Sequence, residues 1–183
     1  MLFYESGERR VVNFVNQTLI ERPFSDFFFD NSTLCDGNDN YNTLAINIDH
    51  SSAFVDIDGD CQNDLIIHST YFYYDTSLNQ TMKKSLLEIW RGSFKDSKVQ
   101  YCLTKSSVYD LTDDLGPFTI DDFDRDGLLD IIFPILNTGN VLIAHNKMKL
   151  TYDWSLDYCA SHANLNLTNI PIVFDAFSEG QVI

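Results

Sequence analysis

Apolar residues in this chain come in short, unbroken runs separated by turn-forming residues. Leu65-Ile66-Ile67 and Ile131-Ile132-Phe133 are the plainest cases, and Ala53-Phe54-Val55 and Thr119-Ile120 lie a few residues before them. β-branched and aromatic runs of this length read as strands. Their apolar positions are continuous rather than alternating, so each strand should be buried on both faces. The longest such stretches, 64–68 and 131–136, are strand-sized, and none approaches the roughly 18 residues that cross a bilayer.

Between the paired runs lies an internal repeat. Asp56-Ile-Asp58-Gly-Asp60-Cys-Gln62-Asn-Asp64 is one copy, and Asp122-Phe-Asp124-Arg-Asp126-Gly-Leu128-Leu-Asp130 is the other, 66 residues on. That offset is the size of a large propeller blade rather than of a short solenoid repeat. Two further strands are expected after each loop: 86–90 and 99–103, joined around Arg91-Gly92-Ser93, and then 141–145 and 150–154. Each unit thus reads as a four-stranded antiparallel meander. Before the first loop, 2–4 and 11–14 flank Ser6-Gly7 and resemble the last two strands of an earlier unit. Segment 70–84 reads as an insertion found in one unit only.

The expected fold class is therefore all-β, a β-propeller present only in part. Residues 1–45 are the end of a preceding blade plus a connection, and 46–112 a blade with loop 56–64. Residues 113–160 are a blade with loop 122–130, and 161–183 lead into the next blade. A propeller closes with about four to eight blades, so the remaining blades are implied partners of this chain.

The chemistry of the loops follows from oxygen geometry. Calcium takes six to eight oxygen ligands at about 2.3–2.6 Å. Carboxylates at loop positions 1, 3, 5 and 9 converge if the backbone curls tightly: Asp56, Asp58, Asp60 and Asp64 in one loop, Asp122, Asp124, Asp126 and Asp130 in the other. Position 7, Gln62 and Leu128, would add a main-chain carbonyl. Gly127 stands at position 6, where a sharp turn favours glycine. The first loop differs, with Gly59 at position 4 and Cys61 at position 6, so the second site is expected to be the better one. An EF-hand shares the opening spacing but needs Glu at position 12 and flanking helices. Position 12 is Ile67 or Phe133, and the flanks are strand-like. One Asp-Gly turn would be an ordinary polar turn; two matched loops of four aspartates are better explained by Ca2+, held structurally as a clamp on two antiparallel strands.

Charge and composition agree. A formal net charge of −15 argues against nucleic acid and against anionic membrane surfaces. Hydrophobic residues at 44% exclude a disordered tail. Four cysteines, Cys35, Cys61, Cys102 and Cys159, form no CxxC pair and permit two disulfides in three pairings. Sequons at Asn16, Asn31, Asn79 and Asn166 favour glycosylation on the secretory route, with Asn79 exposed in the insertion. No basic segment with an apolar run follows Met1, which fits an internal stretch of a longer protein.

Catalytic constellations are not visible. His50, His68, His145 and His162 are scattered without metal-ligand spacing and read as core or surface histidines. Ser51 and Ser52 beside His50 lack a Gly-x-Ser-x-Gly elbow. The aspartates could serve a glycosidase, but calcium already accounts for them. Trp90 and Trp154 occupy matching places and read as core. Cys61 suits a disulfide or a free thiol equally.

The loops resemble the FG-GAP repeats of integrin alpha chains. The likeness extends to the T-cell immunomodulatory protein family over roughly 51–150. It rests on Ser52-Ala53-Phe54-Val55-Asp56, on Glu88-Ile89-Trp90, and on Asp122-Phe-Asp124-Arg-Asp126-Gly. The Gly-Ala-Pro half of the FG-GAP signature is missing. The resemblance implies a type I membrane glycoprotein with an extracellular propeller-like region and a transmembrane helix outside this chain. It implies modulation of T-cell function through protein contacts. The expected function is thus a non-enzymatic extracellular or cell-surface interaction module with structural calcium and an unidentified protein partner. The alternatives are a propeller accessory to a secreted carbohydrate- or lipid-active enzyme and an intracellular scaffold.

Overall fold

The computed structural model describes residues 2–5, 9–15, 18–27, 45–46, 52–95, 98–102, 108–111, 114–148 and 172–177. Their strands pair antiparallel throughout, and no α-helix occurs among them. The protein is all-β.

Strands β1 (Leu2–Glu5), β2 (Arg9–Val15) and β3 (Thr18–Pro23) form a three-stranded sheet. The hairpin around Ser6-Gly7 was expected; the third strand was not. A 3-10 turn, Phe24–Phe27, follows.

The central sheet has six strands rather than four. β4 (Ala45–Ile46) and β5 (Ser52–Val55) both pair with β6 (Asp64–Asp75), at different points along it. β6 pairs with β7 (Gln80–Lys95) through the unbroken register Leu65↔Trp90 to Asp75↔Gln80. The expected insertion is therefore the outer half of this hairpin, turning at 76–79. β7 then pairs with two strands in succession: β9 (Val108–Leu111) alongside 85–88, and β8 (Lys98–Cys102) alongside 91–95.

Arg91-Gly92-Ser93 is not the turn that the sequence suggested, because β7 runs through it. Gly92 marks a close approach instead. A Cβ at this position would lie 2.1 Å from the Asn63 carbonyl oxygen, and only glycine lets the two backbones pass.

The last sheet is a four-stranded meander of β10 (Thr119–Asp121), β11 (Asp130–Pro134), β12 (Val141–Asn146) and β13 (Ile172–Phe177). The strand expected at 150–154 lies outside the described residues. The place beside β12 is held by Ile172–Phe177, from the stretch that had been read as leading into a next blade.

Burial on both faces, expected from the unbroken apolar runs, holds for the central sheet. Ile66, Leu87 and Ile89 point to one side and share a core with Ile131, Phe133, Leu142 and Ala144 of the last sheet. Leu65, Ile67 and Trp90 point to the other side and pack with Phe24 and Tyr101. Phe24 meets Trp90 edge-on at 4.8 Å. Trp90 is thus a core residue, as its placement suggested, whereas Trp154 is outside the described residues.

One buried carboxylate on this second side joins sheets. Glu88 accepts two hydrogen bonds from the Arg9 guanidinium, both 2.7 Å, one from Trp90 Nε1 at 2.9 Å, and one from the Ser69 hydroxyl. The Arg9 and Glu88 side chains are essentially closed to solvent. Removing one member of a buried pair strands the other charge, at a cost of about 3–5 kcal/mol. Arg9→Ala should therefore lower stability by about that amount in denaturant titration, and a change below about 1 kcal/mol would show that the pair is not buried as described.

Candidate metal-binding loops

Each acidic loop connects the first two strands of a repeat: β5 to β6 in one case, β10 to β11 in the other. The strands impose closure, since Val55 faces Asp64 and Asp121 faces Asp130 in register. The residues between must then curl back on themselves.

They do so with five matched hydrogen bonds, and the first loop adds a sixth, Asp60 N–H to Asp56 at 3.0 Å. The position 1 carboxylate accepts the N–H of position 6: Cys61 to Asp56 at 2.8 Å, Gly127 to Asp122 at 3.1 Å. Position 3 accepts from position 5, at 3.3 Å in both loops. Position 5 accepts from position 7, Gln62 to Asp60 at 2.8 Å and Leu128 to Asp126 at 2.9 Å. Position 9 accepts from position 2, Ile57 to Asp64 at 3.0 Å and Phe123 to Asp130 at 3.1 Å. The other oxygen of position 9 reaches the third strand of its own repeat: Gly92 N–H to Asp64 at 2.8 Å, Asn146 N–H to Asp130 at 3.0 Å.

The backbone matches too. Positions 4 and 6 are left-handed in both loops, Gly59 at φ 73° and Cys61 at 65°, then Arg125 at 60° and Gly127 at 87°. The glycines have exchanged places, but each loop uses one glycine and tolerates one side chain in that conformation, a modest strain. The difference that made the first loop look less suitable is thus no difference in shape.

Carboxylate oxygens of Asp56, Asp58 and Asp64 lie within 4.8 Å of one another, as do those of Asp122, Asp124 and Asp126. Asp60 sits beside the first trio. Asp130, 0% exposed, instead groups with Asp124 and His145. Gln62 and Leu128 offer N–H groups to position 5, and the Leu128 side chain joins the core.

Crowded carboxylates need either protons or cations. In the first loop burial, reinforced by Asp58, pushes Asp60 up to about 6, and the same two causes raise Asp56 and carry Asp64 well above its ordinary value. Asp58 is held by Arg91, Nε to Oδ2 at 2.7 Å. In the second loop the Lys147 ammonium on Asp124 lowers that carboxyl. Lys147 is raised in return by the same contact.

Sequence reasoning missed Arg91, His145, Asn146 and Lys147. Their shared register, not their residue type, shows the correspondence. Gly92 and Asn146 make the same bond, so Arg91 and His145 occupy the same register position, and each faces the position 3 aspartate. His145 is therefore not a scattered histidine; its Nδ1 lies 3.4 Å from Asp124 and 3.5 Å from Asp130. His68 is the core histidine that was expected, edge-on to Phe133 at 5.4 Å, with burial, aided by Lys83, lowering it to about 4. His50 and His162 lie outside the described residues.

The first loop also touches the last sheet. Asn146 donates its Nδ2 to the Ile57 carbonyl at 2.8 Å, so the end of β12 is strapped to the first loop.

Asn79 is exposed at the tip of the β6–β7 hairpin, and its Oδ1 accepts the Tyr74 hydroxyl at 2.6 Å. Asn16, Asn31 and Asn166 lie outside the described residues. Cys61 and Cys102 are both disulfide-bonded, which closes the free-thiol alternative for Cys61. Among the described residues no helix is long and apolar enough to cross a membrane.

Fold and loops together define the class: an all-β antiparallel protein with two matched acidic strand-connecting loops. No family model matches the chain, and neither does a curated protein or a solved structure.

A pH dependence follows for protein stripped of divalent ions. An acid whose folded value is raised adds stability that is fully present below its unfolded value and is lost as pH rises through the folded one. For Asp60 that window runs from about 3.8 to about 6, with Asp56 and Asp64 acting in the same sense. Asp124, shifted the other way, acts below 3.8. His68, lowered to about 4, acts in the opposite sense between about 4 and 6.5, so the carboxylates are read in a His68→Gln background. There the stripped protein should melt at a lower temperature at pH 7.5 than at pH 5, and a rise over that interval would contradict the burial assigned to them.

Proposed function

We propose that this chain is a non-enzymatic extracellular interaction module in which two calcium ions clamp two blades of an FG-GAP-type propeller. The observation that carries the reading is the set of five hydrogen bonds that the two loops share. A single acidic turn arises easily, but two loops that repeat five carboxylate-to-backbone hydrogen bonds and two left-handed residues keep a shape that aims carboxylates inward. Oxygen-only clusters at this spacing suit calcium. Asp56, Asp58, Asp60 and Asp64, with the Gln62 carbonyl, hold one ion. Asp122, Asp124, Asp126 and Asp130, with the Leu128 carbonyl, hold the other. With its ligands drawn from protein and its place between strands, the ion is structural.

Further support comes from the last two sheets. β10–β13 is a four-stranded antiparallel meander, and its inner face shares one core with the central sheet, as neighbouring blades would. A propeller of this kind needs further blades to close. The likeness to the T-cell immunomodulatory protein family extends the proposal to a cell-surface glycoprotein that acts through protein contacts, without nucleic acid and with its membrane anchor outside this chain. The net charge of −15 fits that assignment.

Calorimetric titration of chelator-stripped protein with calcium should show two sites per chain. Asp124→Ala should abolish one and spare the other, and a wild-type titration without heat and without a calcium-dependent rise in melting temperature would remove the proposal.

Expression through a secretory host should add a glycan at the exposed Asn79, seen as a mass shift that Asn79→Gln removes. Secreted protein with an unmodified Asn79 would count against the extracellular assignment.

A further inference from the structure

His145 has no place in an all-oxygen calcium shell, yet it is built into the second loop. Its side chain is 7% exposed, and Nδ1 is buried with no hydrogen-bond partner. That nitrogen nevertheless points at two carboxylates, Asp124 Oδ2 at 3.4 Å and Asp130 Oδ2 at 3.5 Å. A protonated imidazole paired with these acids would direct its N–H along one of them, and neither contact is a hydrogen bond. The separations instead match the edges of a metal shell. Two ligands bound at about 2.0–2.1 Å to a tetrahedral centre lie about 3.3 Å apart.

We propose that Asp124, Asp130 and His145 Nδ1 form a site for a divalent first-row transition ion, zinc above all, on the inner side of the second loop, where it would displace the calcium that draws on the same Asp124 and Asp130. All three ligand atoms lie within 4.8 Å of one another. An imidazole with two carboxylates suits zinc and its neighbours, whereas calcium takes oxygen almost alone. The other ring nitrogen, Nε2, faces Asp175 of β13 at 3.8 Å. That separation exceeds a hydrogen bond, so Asp175 would support the ring, and fix the tautomer that leaves Nδ1 unprotonated, only by closing on Nε2 as the ion binds. Three protein ligands leave a fourth position for water. Lys147, whose ammonium contacts Asp124, is 42% exposed and can swing into solvent when the ion enters. The first loop has no counterpart, because Arg91 stands where His145 does, and a guanidinium is not a ligand.

The inference extends the reading of this loop as a metal site and is tested apart from calcium. Chelator-stripped full chain is titrated with Co2+ and followed by visible absorption, then back-titrated with Zn2+. One Co2+ per chain should give the intense bands of a tetrahedral centre, and zinc should abolish them. His145→Gln should lose the bands, and Asp175→Asn should weaken binding about 10-fold. Both variants should keep calcium binding at the first loop. Absent bands in wild type, or His145→Gln binding cobalt as wild type does, would overturn the proposal. If His145→Gln fails to fold, the 15N spectrum of wild type decides: an Nδ1 resonance unmoved by zinc is fatal. Cobalt bands in a protein that ignores calcium would leave this site standing and remove the calcium reading instead.

Discussion

Everything in the two repeats hangs on a pair of carboxylates that water does not reach. Asp64 and Asp130 are 0% exposed, and each accepts one N–H from across its loop and one from the third strand of its sheet. A buried acid without such partners would be untenable. With them, it fixes three segments of chain at once: where the loop turns back, where the second strand begins, and where the third strand passes. Gly92 is a by-product of this demand. To bring its N–H to Asp64, the β7 backbone must run against Asn63 so closely that no side chain fits.

The two loops meet the same electrostatic problem with different counter-charges. Arg91 supplies a permanent cation to Asp58, while Asp124 faces a half-exposed lysine and the buried His145 ring. The first loop is therefore compensated from within the fold, and its remaining carboxyls rise. The second keeps Asp124 and Asp126 exposed to whatever positive charge arrives, with Asp130 buried behind them. In a chain of net charge −15, that contrast gives one shape two chemistries.

Much of this was legible in the residues because it is local. Regularly spaced aspartates encode the loop, and unbroken runs such as Leu65-Ile66-Ile67 encode strands covered on both sides; both readings match the structure. What escaped is what depends on distant partners. Ile172–Phe177 closes the last sheet on β12 from far along the chain, and nothing in its own letters says which strand it will find. Glycine has two uses, turning and close approach, so Gly92 was read as the wrong one. His145 was hidden because the matching position in the first loop holds arginine, and a comparison of the repeats by residue type shows no shared letter there.

Asn146 gives the molecule a load path. Its backbone N–H is fastened to Asp130, its side chain to the Ile57 carbonyl, and Ile57 N–H to Asp64. Tension that pries the last sheet from the central one is thus delivered in part into the throat of the first loop, alongside the apolar core that the two sheets share. Two loops far apart in sequence behave as links of one chain under strain: slackening either transfers force to the other, and neither can open without disturbing its neighbour.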